Sequence, residues 1–135
     1  LLLLLIITIT VMTFTITGCG CSKKEKKEEK NPVVKTNDRE NVIKDQQVEM
    51  FKMQDTSVTY DGKNSTLTTF VTNTSNETQT FDSFNIVVKD KDGKELITML
   101  GFANNELKAG ETKTIVSSTD VNLLKAASVE YSVNR

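Results

Sequence analysis

The stretch FNIVVKDKDGKELITML, residues 84–100, decides the fold of this 135-residue chain. In its first half, apolar side chains occupy every second position, at Phe84, Ile86 and Val88. This is the period of a β-strand that buries one face. The Asp-Gly pair at residues 92–93 is typical of a hairpin turn, and the rest of the stretch returns as a second strand. The stretch therefore predicts an antiparallel hairpin with one face on a hydrophobic core.

The two-residue period continues on both sides of this hairpin. It predicts further strands at residues 48–53, with 58–60 as a continuation of the same strand, and at 67–73, 112–118 and 129–133. Residues 74–80 and 107–111 are expected to be polar loops, and 121–127 a connection that could include one helical turn. Short strands separated by polar turns predict an all-β fold, a small antiparallel β-sandwich formed by residues 46–135.

The alternation also predicts the core, because residues two apart in a strand point to the same face of a sheet. Asn85 and Lys89, on the opposite face of the strand that holds Phe84, are expected to face solvent. Nine side chains are expected to lie between the sheets: Leu67, Val71, Phe84, Ile86, Val88, Ile115, Val129, Tyr131 and Val133.

Three segments resemble the FxLYD-type and related immunoglobulin-like domains of bacterial surface lipoproteins. LTTFVTNTS (residues 67–75) is similar to their second strand, residues 84–93 to their central strand and hairpin, and LKAGE (residues 107–111) to their L-x-P-G-E turn. The chain differs where Thr69 replaces a glycine and Ala109 replaces the proline. The resemblance implies an immunoglobulin-like sandwich, and this family shares no catalytic activity.

The N-terminal segment is apolar and ends in a cysteine motif. Residues 1–17 carry no charge and are followed by Gly18 and Cys19. The sequence ITGC, residues 16–19, resembles the bacterial lipobox, which implies that residues 1–18 are a signal peptide and that Cys19 receives a diacylglyceryl lipid. Cys21 fits this motif less well. Since no Met or basic residue precedes the leucines, the signal peptide is expected to be truncated at its start.

A transmembrane anchor is the alternative interpretation of residues 1–17. Seventeen residues are near the lower limit for spanning a hydrocarbon core of about 30 Å. The five threonines in this segment would also be a poor lipid-facing set. The lipoprotein interpretation is therefore preferred.

Residues 19–45 are expected to be a disordered polar tether. Residues 22–30 read SKKEKKEEK, and Pro32 follows shortly after them. A segment with this much charge and so few apolar side chains cannot offset the entropy of ordering. The alternative is that its basic residues contact anionic lipid headgroups.

Composition excludes several classes of chemistry. The chain has no histidine, so it lacks the commonest general base and the commonest transition-metal ligand. Its net charge of −1 indicates no nucleic-acid partner. Both cysteines, Cys19 and Cys21, precede the expected domain and cannot cross-link its core. No catalytic residue, cofactor or metal ligand is therefore predicted, and the protein is not expected to be an enzyme.

Two motifs resemble weak metal sites, and each also has a structural explanation. DKDGKE, residues 90–95, resembles half of a calcium loop, but a hairpin turn accounts for it without an ion. Met50, Met53 and Met99 could offer sulfur to Cu(I), although methionine is an ordinary core residue.

Three Asn-x-Ser/Thr triplets, at Asn64, Asn73 and Asn76, match the glycosylation acceptor pattern. Turn formation by Asn, Ser and Thr is the preferred account of these triplets. A carboxylate pair such as Asp90 and Asp92 is expected in an exposed turn, where it would not act in acid-base catalysis.

Together these features predict a lipid-anchored protein on the extracytoplasmic face of the cell membrane. Its domain is expected to act as a binding or interaction module for an envelope protein or peptide. The alternative is a carrier of an ion or small ligand in the envelope. A concave pocket with converging polar groups would favour the carrier.

Overall fold

The computed structural model describes residues 35–36 and 43–135, and this part of the chain is all-β, as predicted. The strands are β1 (Lys35–Thr36), β2 (Gln46–Val48), β3 (Phe51–Tyr60), β4 (Ser65–Asn73), β5 (Gln79–Thr80), β6 (Ser83–Lys89), β7 (Glu95–Gly101), β8 (Glu106–Leu107), β9 (Thr112–Thr119) and β10 (Ser128–Asn134).

Antiparallel pairing organises these strands into a small β-sandwich. The first sheet has the order β1–β3–β4–β9. Strands β1 and β2 both pair with the same edge of β3, β1 at the end near Tyr60 and β2 at the end near Phe51. The second sheet has the order β10–β6–β7. Strands β5 and β8 form a separate two-stranded ribbon at one end of the sandwich.

The hairpin predicted from residues 84–100 is confirmed as β6 and β7, with Ile86 opposite Met99. The turn between them depends on Asp90, whose carboxylate accepts the backbone N–H groups of Asp92 and Lys94, each at 2.9 Å. Gly93 has a φ of 78°, a conformation that glycine adopts without steric cost. The Asp-Gly signal therefore reflects local turn chemistry.

Eight of the nine expected core side chains are buried, and the ninth, Val133, is partly buried at the margin of the core. The structure adds further buried side chains that alternation did not identify, among them Phe51, Met53, Val58, Phe81, Leu107 and Leu123. Several of these lie at strand ends or in connections, where the two-residue period has no meaning.

The expected single strand over residues 48–53 is wrong. Glu49 and Met50 form a tight turn between β2 and β3, and Val48 pairs directly with Phe51. Glu49 has a φ of 53°, which breaks the extended backbone. Residues 121–127 contain no helix, although Leu123 and Ala126 anchor this connection in the core.

Packing of the sandwich begins slightly before residue 46. Ile43 is only 4% exposed and belongs to the hydrophobic core. The division of the chain at residue 46 remains a prediction, and a fragment that starts at Asp45 would lack this core side chain.

The sandwich has two distinct ends. At one end, called here the entry end, β1 reaches the domain and Lys35 pairs with Tyr60. At the other, called the groove end, Phe51 begins β3 and Asn73 ends β4. A hydrogen bond from the Asp82 N–H to the Asn134 carbonyl places the start of β6 and the end of β10 together.

The strand register predicts different stabilities for substitutions on the two faces of β6. Phe84→Ala should lower the free energy of unfolding by roughly 3–5 kcal/mol, because Phe84 is fully buried. Asn85→Ala should cost only about 1 kcal/mol, since it removes a half-buried amide pair with Asn134. Lys89→Ala, which removes an ion pair with Glu130, should cost less still. Urea unfolding measures all three, and equal losses would contradict this register.

Candidate functional site

A groove of about 550 Å³ lies at the groove end of the sandwich and is open to solvent. The ribbon of β5 and β8, in which Thr80 pairs with Glu106, contributes to one wall. The lining residues are Thr80, Phe81, Asp82, Asn104, Asn105, Glu106 and Arg135. The volume falls within the usual range for small-ligand sites.

Asn73 holds the loops that flank this ribbon. Its fully buried side-chain amide donates hydrogen bonds to the carbonyls of Glu77, Leu107 and Lys108 at 2.7, 2.9 and 3.2 Å. Its side-chain oxygen accepts the backbone N–H and the hydroxyl of Ser75. One side chain thus fixes the loop before β5 and the end of β8 relative to β4.

The segment after β7 forms another part of the groove and has an unusual backbone. Asn104 and Asn105 have φ values of 58° and 59°, so two successive non-glycine residues adopt the left-handed conformation. Asparagine tolerates this region better than most residues. The Asn105 carbonyl accepts the Phe81 N–H at 3.0 Å, which links the segment to the start of β6. The strained segment is therefore held in place by the rest of the groove wall.

The charges of the groove are unbalanced. Arg135 binds Glu49, with Nη2 2.5 Å from Oε2, and this contact lowers the pKa of the Glu49 carboxyl. Within the described part of the chain, Asp82 and Glu106 form no ion pair. The groove and its rim therefore carry a net charge of −2, from the acidic Asp82, Glu106 and Glu49 and the basic Arg135.

A second groove of about 430 Å³ follows the seam between β2 and β10. Its lining includes Lys44, Gln46, Ser128 and Val129. Gln46 closes part of this seam, because its side-chain oxygen accepts the Tyr131 N–H at 3.2 Å. The outer edge of β10 is therefore partly occupied by the protein itself.

The core contains a small polar network next to a β-bulge. Residues Asp55 and Thr56 lie opposite the single residue Thr69, and Asp55 has a φ of 52°. The Thr56 hydroxyl lies 2.8 Å from the Thr69 hydroxyl and 2.8 Å from the Tyr131 hydroxyl. Burial raises the pKa of Tyr131, and the hydrogen bonds to the two threonines partly oppose this. Because these groups satisfy one another, the network links the two sheets.

The LKAGE segment forms the loop expected at residues 107–111 from Lys108 onward, whereas Leu107 belongs to β8. Gly110 has a φ of 71°, and the Glu111 carboxylate accepts the Lys108 N–H at 2.9 Å. This hydrogen bond, together with Lys113 at 3.0 Å, lowers the pKa of Glu111. The glutamate of the motif therefore has a structural role in the turn.

The weak metal motifs have structural explanations. Asp90 uses its carboxylate to close the hairpin turn, as described above. Met53 and Met99 pack in the core, whereas Met50 lies half exposed on the turn before β3. Among the described residues, no group of three His, Cys, Asp or Glu side chains is arranged to hold a metal ion.

The three Asn-x-Ser/Thr triplets have different surroundings. Asn73 is fully buried, and its amide is committed to three carbonyls. Asn64 and Asn76 are exposed in turns. The preferred explanation of turn formation therefore holds for Asn73.

Cys19 and the apolar segment before it lie outside the described residues, so the predicted lipidation site is not placed. Within residues 35–36 and 43–135, no helix has the length and apolar character needed to cross a membrane.

Sequence reasoning did not identify the groove. Its residues come from β5 and β8, from the segments before β6 and β8, and from the position after β10, and no local period connects them. The adjacent pair Asn104-Asn105 was the one available signal, because asparagine is favoured in left-handed turns.

Comparison with known proteins identified no relative. No protein-family model matches this chain, and no curated protein or solved structure matches it significantly.

Asn73→Ala should destabilise the domain by at least about 2 kcal/mol, because it leaves buried carbonyls without a donor. Asn76→Ala, an exposed asparagine in the same loop, should change stability by less than about 0.5 kcal/mol. Urea unfolding of both variants measures the difference. Similar losses would show that Asn73 does not hold the groove wall.

Tyr131 should make stability depend on alkaline pH. The pKa of Tyr131 in the folded state is raised above the ordinary value of 10.0. Its contribution to the free energy of unfolding is therefore fully present below pH 10 and is lost as pH rises through the folded-state pKa. Tyr131→Phe should therefore flatten the loss of stability above about pH 10. Tyr60→Phe is the control, since that hydroxyl is bound to the Gly62 carbonyl outside the core. Thermal unfolding from pH 8 to 11 measures both, and an unchanged slope in Tyr131→Phe would contradict the assignment.

Proposed function

We propose that this protein is a lipoprotein anchored to the extracytoplasmic face of the cell membrane, where its β-sandwich acts as a binding module for an envelope protein or peptide. The observation that carries the proposal is the ITGC motif at residues 16–19. It directly follows an uncharged apolar segment and precedes a highly charged spacer and a domain without cysteine. This order of segments is typical of a lipid-anchored domain held away from the membrane.

The chemistry of the sandwich supports binding in preference to catalysis. The chain lacks histidine, and the described acidic groups with lowered pKa values are those of Glu49, Asp61 and Glu111. The Asp61 carboxylate accepts backbone N–H groups in a turn, while Glu49 and Glu111 lie beside basic residues. Structural contacts therefore account for these shifts without an acid-base pair.

The shape of the surface supports an interaction module over a carrier. Although its lining is largely polar, the groove at the groove end is open to solvent and is not a pocket that would bury most of a small ligand, so it does not meet the criterion that would favour a carrier. An open groove with polar walls suits a ligand that is part of a larger molecule.

Cys19→Ala should abolish incorporation of radiolabelled fatty acid and leave an unprocessed precursor in the cell. The lipid would be attached to the thiol sulfur of Cys19, so no other side chain at position 19 can replace it. Cys21→Ala is the matched control and should be labelled and processed normally. The experiment is done in cells that express the full-length gene.

Normal labelling of Cys19→Ala together with loss of label in Cys21→Ala would move the lipid to Cys21. If neither the parent chain nor the control incorporates label, the lipoprotein assignment is contradicted. Recovery in the membrane fraction of unlabelled protein that keeps its apolar segment would instead support the transmembrane alternative.

A further inference from the structure

We propose that the outer edge of β10 binds an extended peptide segment of another protein by strand addition, so that the peptide becomes a fourth strand of the second sheet. This inference rests on the proposed function and names the mode of recognition and the chemical class of the ligand. Three observations carry it: the widths of the two sheets, the hydrogen bonding of β10 and the second groove described above.

The second sheet is one strand narrower than the first. The first sheet has four positions across its strands, because β1 and β2 share one edge of β3, and the second sheet has three. Strand β9 lies against β7, since the Ser117 hydroxyl donates to the Leu100 carbonyl. Strand β3 lies against β10, since the Thr56 hydroxyl lies 2.8 Å from the Tyr131 hydroxyl. The outermost position of the first sheet, held by β1 and β2, therefore faces a position beside β10 that no strand in the described part of the chain fills.

The inner side chains of β2 point toward this position. Gln46 and Val48 pair with the fully buried Met53 and Phe51, and cross-strand partners lie on the same face of a sheet. Val48 is only partly buried at the margin of the core, as Val133 is on β10. A strand added beside β10 would therefore cover apolar surface as well as satisfy backbone groups.

The backbone of β10 also faces this position. The Tyr131 N–H points away from β6, because it donates to the side-chain oxygen of Gln46 at 3.2 Å. Residues two apart in a strand present their backbone groups to the same edge, so those of Val129 and Val133 point outward as well. Within the described part of the chain, no hydrogen bond reaches either valine on that edge. Gln46 thus supplies with a side chain the acceptor that a neighbouring strand would supply with a carbonyl.

The second groove, of about 430 Å³, lies along this edge. Residues 44–46 form one wall and residues 127–129 the other. The charged lining residues, Lys44 and Asp45, have opposite signs, so the groove does not select a charged ligand. An extended backbone suits such a groove, because main-chain hydrogen bonds supply affinity and alternate side chains supply specificity.

The opposite margin of the sandwich is closed by contacts within the protein. The Leu100 carbonyl of the β7 edge is already taken by the Ser117 hydroxyl. Gly101 lies so close to β9 that a Cβ atom there would be 2.7 Å from the Ile115 side chain. The β10 margin is therefore the one that this structure leaves open for an added strand.

A second copy of the chain is a poor occupant of this position. The inner side chains of its own β10 are already committed to its own core, so they cannot enter the space beside Gln46 and Val48. Pairing of two seven-residue edges would also involve far fewer residues than the roughly 20–30 a side of a stable interface.

The chain's own N-terminal region also lacks the side chains that this position needs. Residues 22–31 read SKKEKKEEKN and residues 37–42 read NDRENV, with Val42 as the single apolar residue. Neither segment can place apolar side chains at every second position. Residues 1–18 are removed under the proposed function, and Val33 and Val34 directly precede β1. A separate peptide with alternating apolar residues is the occupant that these observations favour.

The proposal can be tested by calorimetry on the full chain in detergent micelles. The probe is the acetylated and amidated peptide Lys-Val-Thr-Val-Thr-Val-Glu, whose valines share one face of a strand. Two further peptides carry N-methyl groups on all valines or on all threonines, which blocks N–H groups on opposite edges of the extended peptide. One methylated peptide should bind at least about tenfold more weakly than the parent, and the other within about threefold of it. Equal effects of the two, or no binding of the parent, would overturn the proposal.

Amide hydrogen exchange locates the edge. The parent peptide should slow exchange at Val129 and Val133 at least about tenfold and leave the amides of β9 unchanged. Protection of β9 in place of β10 would reject the site. Protection of the two valines without peptide would overturn the choice of occupant: a dependence on protein concentration would identify a second copy, and no dependence would identify the chain itself.

Gln46 and its neighbour provide a matched pair of variants. Gln46→Ala should strengthen binding of the parent peptide about fivefold, because the peptide no longer displaces a hydrogen bond from Tyr131. Gln47→Ala should change the affinity less than about twofold, since that amide bonds the Glu49 carbonyl and the Thr74 hydroxyl. Unchanged or weaker binding by Gln46→Ala would overturn the assignment to this edge. Lipid labelling reports on anchoring independently, so a labelled protein that binds no peptide would reject this inference and leave the membrane anchor intact.

Discussion

The contact among Phe51, Phe81 and Phe84 is the interaction on which the rest of this sandwich depends. Phe51 packs edge-on against Phe81 and Phe84, with ring centroids 5.3 and 5.2 Å apart, and the other two rings lie 4.7 Å apart. Phe51 belongs to the first sheet and Phe84 to the second. The cluster therefore joins the sheets, and through Phe81 it also supports the floor of the groove. Aromatic contacts of this geometry add to the stability that comes from burial alone.

Close approach of the two sheets beside this cluster is made possible by Gly101, which pairs with Phe84. A Cβ atom at this position would lie 2.7 Å from Ile115 and 2.8 Å from Ile86, closer than side chains can approach. On the same side, the Ser117 hydroxyl donates to the Leu100 carbonyl at 2.9 Å, which links β9 to β7. Both strands are edges of their sheets, so this bond also occupies backbone that would otherwise be free to pair with another chain.

The architecture separates the features that suggest function. The predicted lipid site precedes the strand that reaches the entry end, while the groove lies at the opposite end. Between them, the polar network of Thr56, Thr69 and Tyr131 is satisfied internally and links the two sheets.

The sequence by itself determined the all-β class, the β6–β7 hairpin and eight of the buried core positions, because alternation and Asp-Gly turns are local properties. It also supplies the ITGC motif on which the proposed anchor rests. Tertiary structure alone decided that β2 ends at Val48 and that Glu49 lies in a turn, since this left-handed turn is stabilised by pairing between β2 and β3. It also decided that Asn73 is buried while Asn76 is exposed, although both occur in the same sequence pattern. The groove belongs to this second class, because its residues from positions 80 to 135 meet only after the two sheets pack.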